Sequence, residues 1–211
     1  MLKRFALTGA LVICVVGMGF ATSARADANE ENSLQFIQSV ADKAIQSLTA
    51  KDTPKPERVK QFRILFNENF AVKSIGKFVL GRYWGRASEA EQNEYLGLFE
   101  DLMVVSYVDR FSSYAGESLV LKDARTENET TITVFSEIKR PGGTKPIQIN
   151  WRVGTNGTIY KILDVAVEGA SMSTTLKSDF GSIVRQKDGK VSGLIDELKK
   201  KTASLTEEMQ K

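Results

Sequence analysis

The sequence predicts an α+β fold in which a helical layer covers one face of an antiparallel sheet. Three observations predict it. Apolar residues recur at a period near 3.6 in the first half of the mature chain, switch to a period of two beyond Gly116, and return to the helical period after Gly169. The alternating segments are apolar on one side only, so the sheet needs a cover. Turn signals, Pro141-Gly142-Gly143 and Asn156-Gly157, separate the alternating runs.

Residues 1–26 stand apart. Lys3 and Arg4 precede a nearly continuous apolar run, Phe5 to Ala21, and Ala24-Arg25-Ala26 has the small-x-small form of a cleavage site. This is the layout of a secretory signal peptide cut after Ala26. The rival reading is a membrane anchor. The run is marginal for the roughly 20 residues of a span, and it contains Gly9, Gly17 and Gly19. Cys14, the only cysteine, follows Ile13, where a lipidation signal needs a small residue. Residues 27–205 then form one domain and 206–211 a polar tail.

The first mature helix spans roughly Asn32 to Ala50, with Leu34, Ile37, Ala41, Ala44, Ile45 and Leu48 as its stripe. Pro54 and Pro56 close it and open the next, because proline suits a first helical turn. The second helix carries Val59, Phe62, Phe66 and Phe70. A short third helix covers Val72 to Val79 and stops at Leu80-Gly81. Ser88-Glu89-Ala90-Glu91 is a capping box opening the longest helix. Its stripe begins at Tyr95, Leu98, Phe99 and Leu102, but Leu102 to Val105 are all apolar, followed by Tyr107, Val108 and Phe111. A surface helix needs a single stripe, so the middle of this helix is either buried between layers or borders a cavity.

In the alternating region, Ile132, Val134, Ile138, Ile147, Ile149, Trp151, Val153 and Ile162 fall on one face. Arg152 and Lys161 fall on the other, which faces water. A two-residue hairpin loop at Asn156-Gly157 sets Val153 opposite Tyr160, Trp151 opposite Ile162 and Ile149 opposite Asp164. Two helices follow, with stripes of Leu176, Phe180, Ile183 and Val184 and of Val191, Leu194, Ile195 and Leu198, separated by a turn at Lys187-Asp188-Gly189.

Composition excludes much chemistry. The chain has no histidine, and its only cysteine leaves with the signal. Imidazole bases, thiolate nucleophiles, disulfides and the usual zinc ligands are therefore absent from the mature chain. The precursor carries 29 basic and 26 acidic residues. Lys3, Arg4 and Arg25 leave with the signal and no acid does, so the mature chain is balanced. A neutral chain gives no support to nucleic-acid binding. No cofactor or metal is implied.

Two motifs resemble catalytic signatures. Ser74 and Lys77 have S-x-x-K spacing, but the companion motifs are missing. Gly169-Ala170-Ser171-Met172-Ser173 approaches a nucleophile elbow, yet lacks the final glycine and any histidine; Ser171 or Ser173 reads better as a helix N-cap. Asp164, on the face of Trp151 and Ile162, is the one candidate base. Its alternative role is to accept backbone or arginine hydrogen bonds near the sheet edge. Leu80-Gly81-Arg82-Tyr83-Trp84-Gly85 is either a core-plugging connection or a pocket mouth, where Arg82 or Arg86 meets a phosphate. Asn128-Glu129-Thr130 and Asn156-Gly157-Thr158 are sequons by pattern and turns by context.

The order of segments resembles the MlaC family. Phe78-Val79-Leu80-Gly81-Arg82-Tyr83-Trp84, Gln92, Phe99, Tyr114-Ala115-Gly116-Glu117, Tyr160 to Val165, Val167 to Ser171, Ser178-Asp179-Phe180 and Gly189 carry the resemblance collinearly. Asp179 and Ala170 depart from the family pattern, which would have Gln and Val. The resemblance implies a periplasmic carrier, not an enzyme, that moves phospholipid between an outer-membrane lipoprotein/porin complex and an inner-membrane ABC transporter with MCE domains. It implies a helical layer on a twisted antiparallel sheet, related to the nuclear-transport-factor cone, with a deep apolar pocket for acyl tails. Hopanoid is an alternative cargo of the same fold, and a monomer is expected.

The residues agree with this physics. Each exposed CH₂ of a lipid in water costs about 0.8 kcal/mol, so a carrier needs two apolar layers that do not close on each other. Phe78, Val79, Trp84, Phe99, Leu102, Met103, Val134, Ile149, Trp151 and Ile162 are the expected tail-binding residues, with Arg82 and Arg86 at the headgroup. Arginine at Leu102 or Val134 is then expected to abolish carriage without unfolding the chain. Two other classes stay open. A cone-fold enzyme with Asp164 as base requires that carboxylate free inside the pocket. A protein adaptor whose groove takes a partner helix requires a smaller, filled interior.

Overall fold

The computed structural model describes residues 20–50, 53–108, 111 and 114–210. The expected signal segment up to residue 19 lies outside them. Helix α1 runs Phe20–Leu48, α2 Lys55–Asn69 and α3 Val72–Leu80; a 3-10 segment, Gly81–Arg86, leads to α4, Glu89–Tyr107. Strands β1 (Ser118–Asn128), β2 (Thr131–Lys139), β3 (Ile147–Thr155) and β4 (Tyr160–Val167) follow, with a two-residue β5 at Ala170–Ser171. Helices α5 (Met172–Gln186) and α6 (Val191–Gln210) complete the chain. The sheet is antiparallel in the order β1-β2-β3-β4-β5. Among the described residues no helix is long and apolar enough to cross a membrane.

Local chemistry sets the boundaries. Pro54 and Pro56 start α2. Gly81 ends α3 at φ +58°, a conformation that disfavours other residues. The capping box at α4 is complete: the Ser88 hydroxyl accepts the Glu91 N–H, and the Glu91 carboxylate accepts the Ser88 N–H at 2.9 Å. Gly76 lets α3 lie close to α4, since a Cβ there would stand 2.8 Å from the Leu96 side chain. The buried Tyr95 hydroxyl spans the same contact, donating to the Gly76 carbonyl at 2.9 Å.

Helix α1 begins earlier than its apolar stripe does, and the expected cleavage point after Ala26 falls within it. Its buried line is Ser33, Ile37, Val40, Ala44 and Leu48, packed on β1, β2 and α2. Strand β1 is an element the alternation did not reveal. Lys122, Asp123, Arg125 and Glu127 break its pattern, and a register shift falls between Leu121 and Asp123. As an edge strand it has only Ala124 fully buried, and Glu30 of α1 accepts its Thr126 N–H at 2.7 Å.

The β3–β4 register differs from expectation. The loop spans Asn156 to Ile159, where the Asn156 carboxamide accepts the Thr158 and Ile159 N–H groups, so Thr155 rather than Val153 faces Tyr160. Val153 therefore pairs with Ile162. A bulge then inserts Leu163, and Asp164 pairs with Arg152 instead of Ile149. The bulge exchanges faces: beyond it Val165 and Val167 stand opposite Trp151 and Ile149. Gly154 accommodates it, since a Cβ there would lie 2.9 Å from the Leu163 side chain. Lys161 does not simply project into water; its ammonium donates to the Asn67 and Glu68 carbonyls at the end of α2.

The apolar face of the sheet is treated differently along its length. Ile132, Val134, Val153 and Ile162 are fully buried in the core beneath the helices. Ile138, Ile147, Ile149, Trp151, Val165 and Val167, towards the other end, border an open cavity. The helices and sheet thus meet at one end and part at the other.

Two stability predictions follow from these contacts. Ser88→Ala removes the α4 cap and is expected to cost about 1 kcal/mol; an unchanged urea midpoint would refute the role of the cap. Glu91, Glu127 and Glu137 are held below the ordinary carboxylate value of 4.5, chiefly by the Ser88 N–H, the Thr133 hydroxyl and Lys122 respectively. Their ionised forms favour the folded state above that value. Stability is therefore expected to fall as pH drops below about 4.5 through their lowered values. Urea midpoints across that range test this, and Glu137→Gln should flatten the slope.

Candidate functional site

The cavity between sheet and helices measures about 770 Å³, within the range of about 300–1,000 Å³ usual for ligand pockets. Its helical wall is largely aromatic. Phe62, Phe66 and Phe70 recur every fourth residue along α2 and its end, with successive ring centroids 6.2 and 4.9 Å apart. Phe111 packs on Phe62 at 5.6 Å. Ile75 of α3, Phe99, Met103 and Tyr107 of α4, and Met172 and Leu176 of α5 continue the wall. Across from them stand the six apolar residues of β2, β3 and β4. Phe70 also pairs along β4, where the following Ala71 N–H donates to the Ile162 carbonyl at 2.9 Å. That bond fixes the aromatic row against the edge of the sheet.

Few polar groups interrupt this lining. The Trp151 indole N–H donates to the Ser136 hydroxyl at 2.9 Å, and that hydroxyl donates to the Ile149 carbonyl at 2.8 Å. The relay orients the indole while its ring borders the cavity. Asp164 and Ser173 also border it. Both Asp164 oxygens are engaged: Oδ2 accepts the Ser171 hydroxyl at 2.5 Å and Oδ1 accepts the Ser173 N–H at 3.0 Å. The carboxylate thus ties β4 to the start of α5, where Ser171 is the N-cap and accepts the Thr174 N–H. The free carboxylate that a base at Asp164 requires is not present in this arrangement.

Polar and charged residues gather at Tyr114, Glu117 and Arg140. Tyr114 and Arg140 are exposed, which marks this as the open side. The Tyr114 hydroxyl donates to the Glu117 carbonyl at 2.8 Å. The Ala115 N–H, with Arg140 contributing, holds the Glu117 carboxyl below its ordinary range.

Of the expected tail-binding residues, the structure brings Phe99, Met103, Ile149 and Trp151 together around the cavity. Val79, Val134 and Ile162 lie in the closed core at 1% exposure or less. Leu102 is buried and borders a separate groove between α4, α5 and α6. Arginine at Leu102 or Val134 would therefore strike packed core, so the expected separation of fold from carriage does not apply there. Phe78 is exposed, under the Lys177 ammonium at 4.1 Å, and Trp84 packs on the core beneath Lys77. Arg82 and Arg86 lie over the Tyr83 ring rather than at the cavity. The displacements around α3 and the 3-10 segment share one cause: α3 turns its Val79 and Leu80 inwards and its Lys77 and Phe78 outwards.

The α2 phenylalanines stand out in the sequence as a stripe, which ordinary helical core explains equally well. Their signal was the aromatic repeat every fourth residue. Nothing local marks Val165, Val167, Glu117 or Arg140 as neighbours of the same cavity, because their placement depends on the bulge and on strand pairing.

Ser136→Ala leaves the Trp151 N–H without its acceptor. A loss of about 1–3 kcal/mol is expected, read by urea unfolding, together with a shift in tryptophan emission. Unchanged values in both would dismiss the relay.

The family model described as MlaC protein matches residues 38–200. A solved structure titled as a phospholipid-binding protein from Ralstonia solanacearum, in complex with a phospholipid, superposes with a TM-score of 0.70 at 21% identity, covering 82% of this chain and 97% of that one. The shared architecture is helices on an open antiparallel sheet. By the extent of the family match, this chain belongs to the MlaC protein family.

Proposed function

We propose that this protein is a periplasmic carrier that encloses the acyl chains of a phospholipid in the cavity and leaves the headgroup at Tyr114, Glu117 and Arg140. The observation that carries the reading is the cavity itself: about 770 Å³ bounded by apolar side chains on both layers, with charge confined to a few positions. Acyl chains make no directional contacts, so such a lining suffices, and Met103 and Met172 adapt to chains of different shape. Arg140 is the cation suited to a phosphate at the opening. Family membership supports the same ligand class, as does the phospholipid held by the Ralstonia protein. Within this reading the protein exchanges lipid with an outer-membrane lipoprotein/porin complex and an inner-membrane MCE-domain ABC transporter, and works as a monomer without catalysis.

Mass spectrometry of a solvent extract of the purified mature protein tests the ligand. Stoichiometric phospholipid is expected; hopanoid in its place would change the cargo but keep the carrier. A lipid-free protein that takes none up from vesicles would overturn the proposal. Met103→Trp puts an indole in place of a thioether at the cavity wall and is expected to lower bound lipid severalfold while the urea midpoint stays close to that of the parent. Full loading of that variant would remove Met103 from the tail site.

A further inference from the structure

The cations expected at the headgroup form a surface of their own. Helix α3, the 3-10 segment and α5 together contain Lys73, Lys77, Arg82, Arg86, Lys177 and Arg185, against a single acid, Asp179. Asp179 borders the groove shared with α4 and α6. These three elements therefore carry a net +5, whereas the whole chain carries +3. All six cations are exposed. Among the described residues none of them has a carboxylate within 4.0 Å, in contrast to the paired arginines and lysines of α2, β1, β3 and α6.

Aromatic rings organise four of these cations. The Lys177 ammonium lies 4.1 Å from the Phe78 ring centroid and Lys77 lies 5.8 Å from that of Trp84. The Arg82 and Arg86 guanidiniums lie 5.1 and 5.7 Å from the Tyr83 centroid, and Arg82 donates to the Tyr83 hydroxyl at 3.1 Å. Helices α3 and α5 pack against each other, so the two groups of cations belong to one face. Like charges held together repel one another unless an anionic surface meets them. A lone acidic side chain answers one cation; an array spread over two helices matches a surface of many phosphates.

We propose that this face docks onto the anionic phosphate surface of a lipid bilayer, with Lys73, Lys77, Arg82, Arg86, Lys177 and Arg185 meeting headgroups and Phe78 entering the interfacial layer. Exposed aromatics beside lysines and arginines are the pairing found at membrane–water interfaces. This goes beyond the carrier reading, since the face lies outside the cavity lining and holds the outer surface of a membrane rather than a single enclosed lipid.

Co-sedimentation of the full mature protein with protein-free vesicles tests it. Vesicles of phosphatidylcholine mixed with phosphatidylglycerol are expected to retain the protein, with retention falling as salt rises; pure phosphatidylcholine is expected to retain little. Lys77→Gln combined with Lys177→Gln should weaken binding to the anionic vesicles by about thirtyfold. Both residues are exposed and outside the cavity lining, so the variant should keep its bound lipid and its urea midpoint. Equal retention by both vesicle types, or undiminished binding of the variant, would overturn the proposal. Binding to native membranes but not to protein-free anionic vesicles would also overturn it, in favour of an acidic protein partner. Loss of bound lipid from the parent protein bears on the carrier reading alone, because docking is read independently of cavity contents.

Discussion

The structure depends on an unequal cover over one sheet face. Along β2 the inward residues pass from Ile132 and Val134, fully buried, to Ile138 at the cavity. Along β3 the passage runs from Val153 to Trp151, Ile149 and Ile147, and along β4 from Ile162 to Val165 and Val167. The same apolar alternation thus serves as core at one end and as ligand wall at the other. Hydrophobic burial at the closed end supplies stability, which leaves the open end free to remain unfilled. Rigid rings oppose its collapse: Phe62, Phe66, Phe70 and Phe111 face Trp151, whose orientation Ser136 fixes.

The bulge at Leu163 is the detail that keeps the β4 side of the far half of the sheet largely apolar inwards. Strict alternation through β4 would carry the inward side from Ile162 to Asp164 and Ala166. One inserted residue brings Val165 and Val167 opposite Trp151 and Ile149 instead. Asp164 then serves as a structural tie, holding Ser171 and the Ser173 N–H at the start of α5. A carboxylate that looked like a base in the sequence is occupied in positioning a helix that walls the cavity.

Much of this was legible beforehand and some was not, for identifiable reasons. The capping box at Ser88, the stop at Gly81 and the one-sided alternation of β2 and β3 are local signals, and each marks its element. The over-apolar middle of α4 predicted either burial or a cavity; Val104 is buried and Met103 borders the cavity, so both apply. Strand β1 was hidden because an edge strand held by α1 tolerates charges at Lys122, Asp123 and Arg125. The hairpin register was hidden because Asn156-Gly157 opens a four-residue turn rather than closing a two-residue one. The sequence shows that Arg82 and Arg86 lie close to aromatics but not the direction in which α3 faces, so it does not reveal that they point away from the cavity.

The open end also has a volumetric consequence. Unfolding removes internal void, and hydrostatic pressure favours whichever state occupies less space. Within the cavity of about 770 Å³, apolar walls on which water packs loosely contribute to the difference in volume when no ligand is bound. An occupant that fills this space reduces that difference. The volume change of unfolding under pressure therefore distinguishes the loaded protein from the empty one, even where their secondary structure is the same.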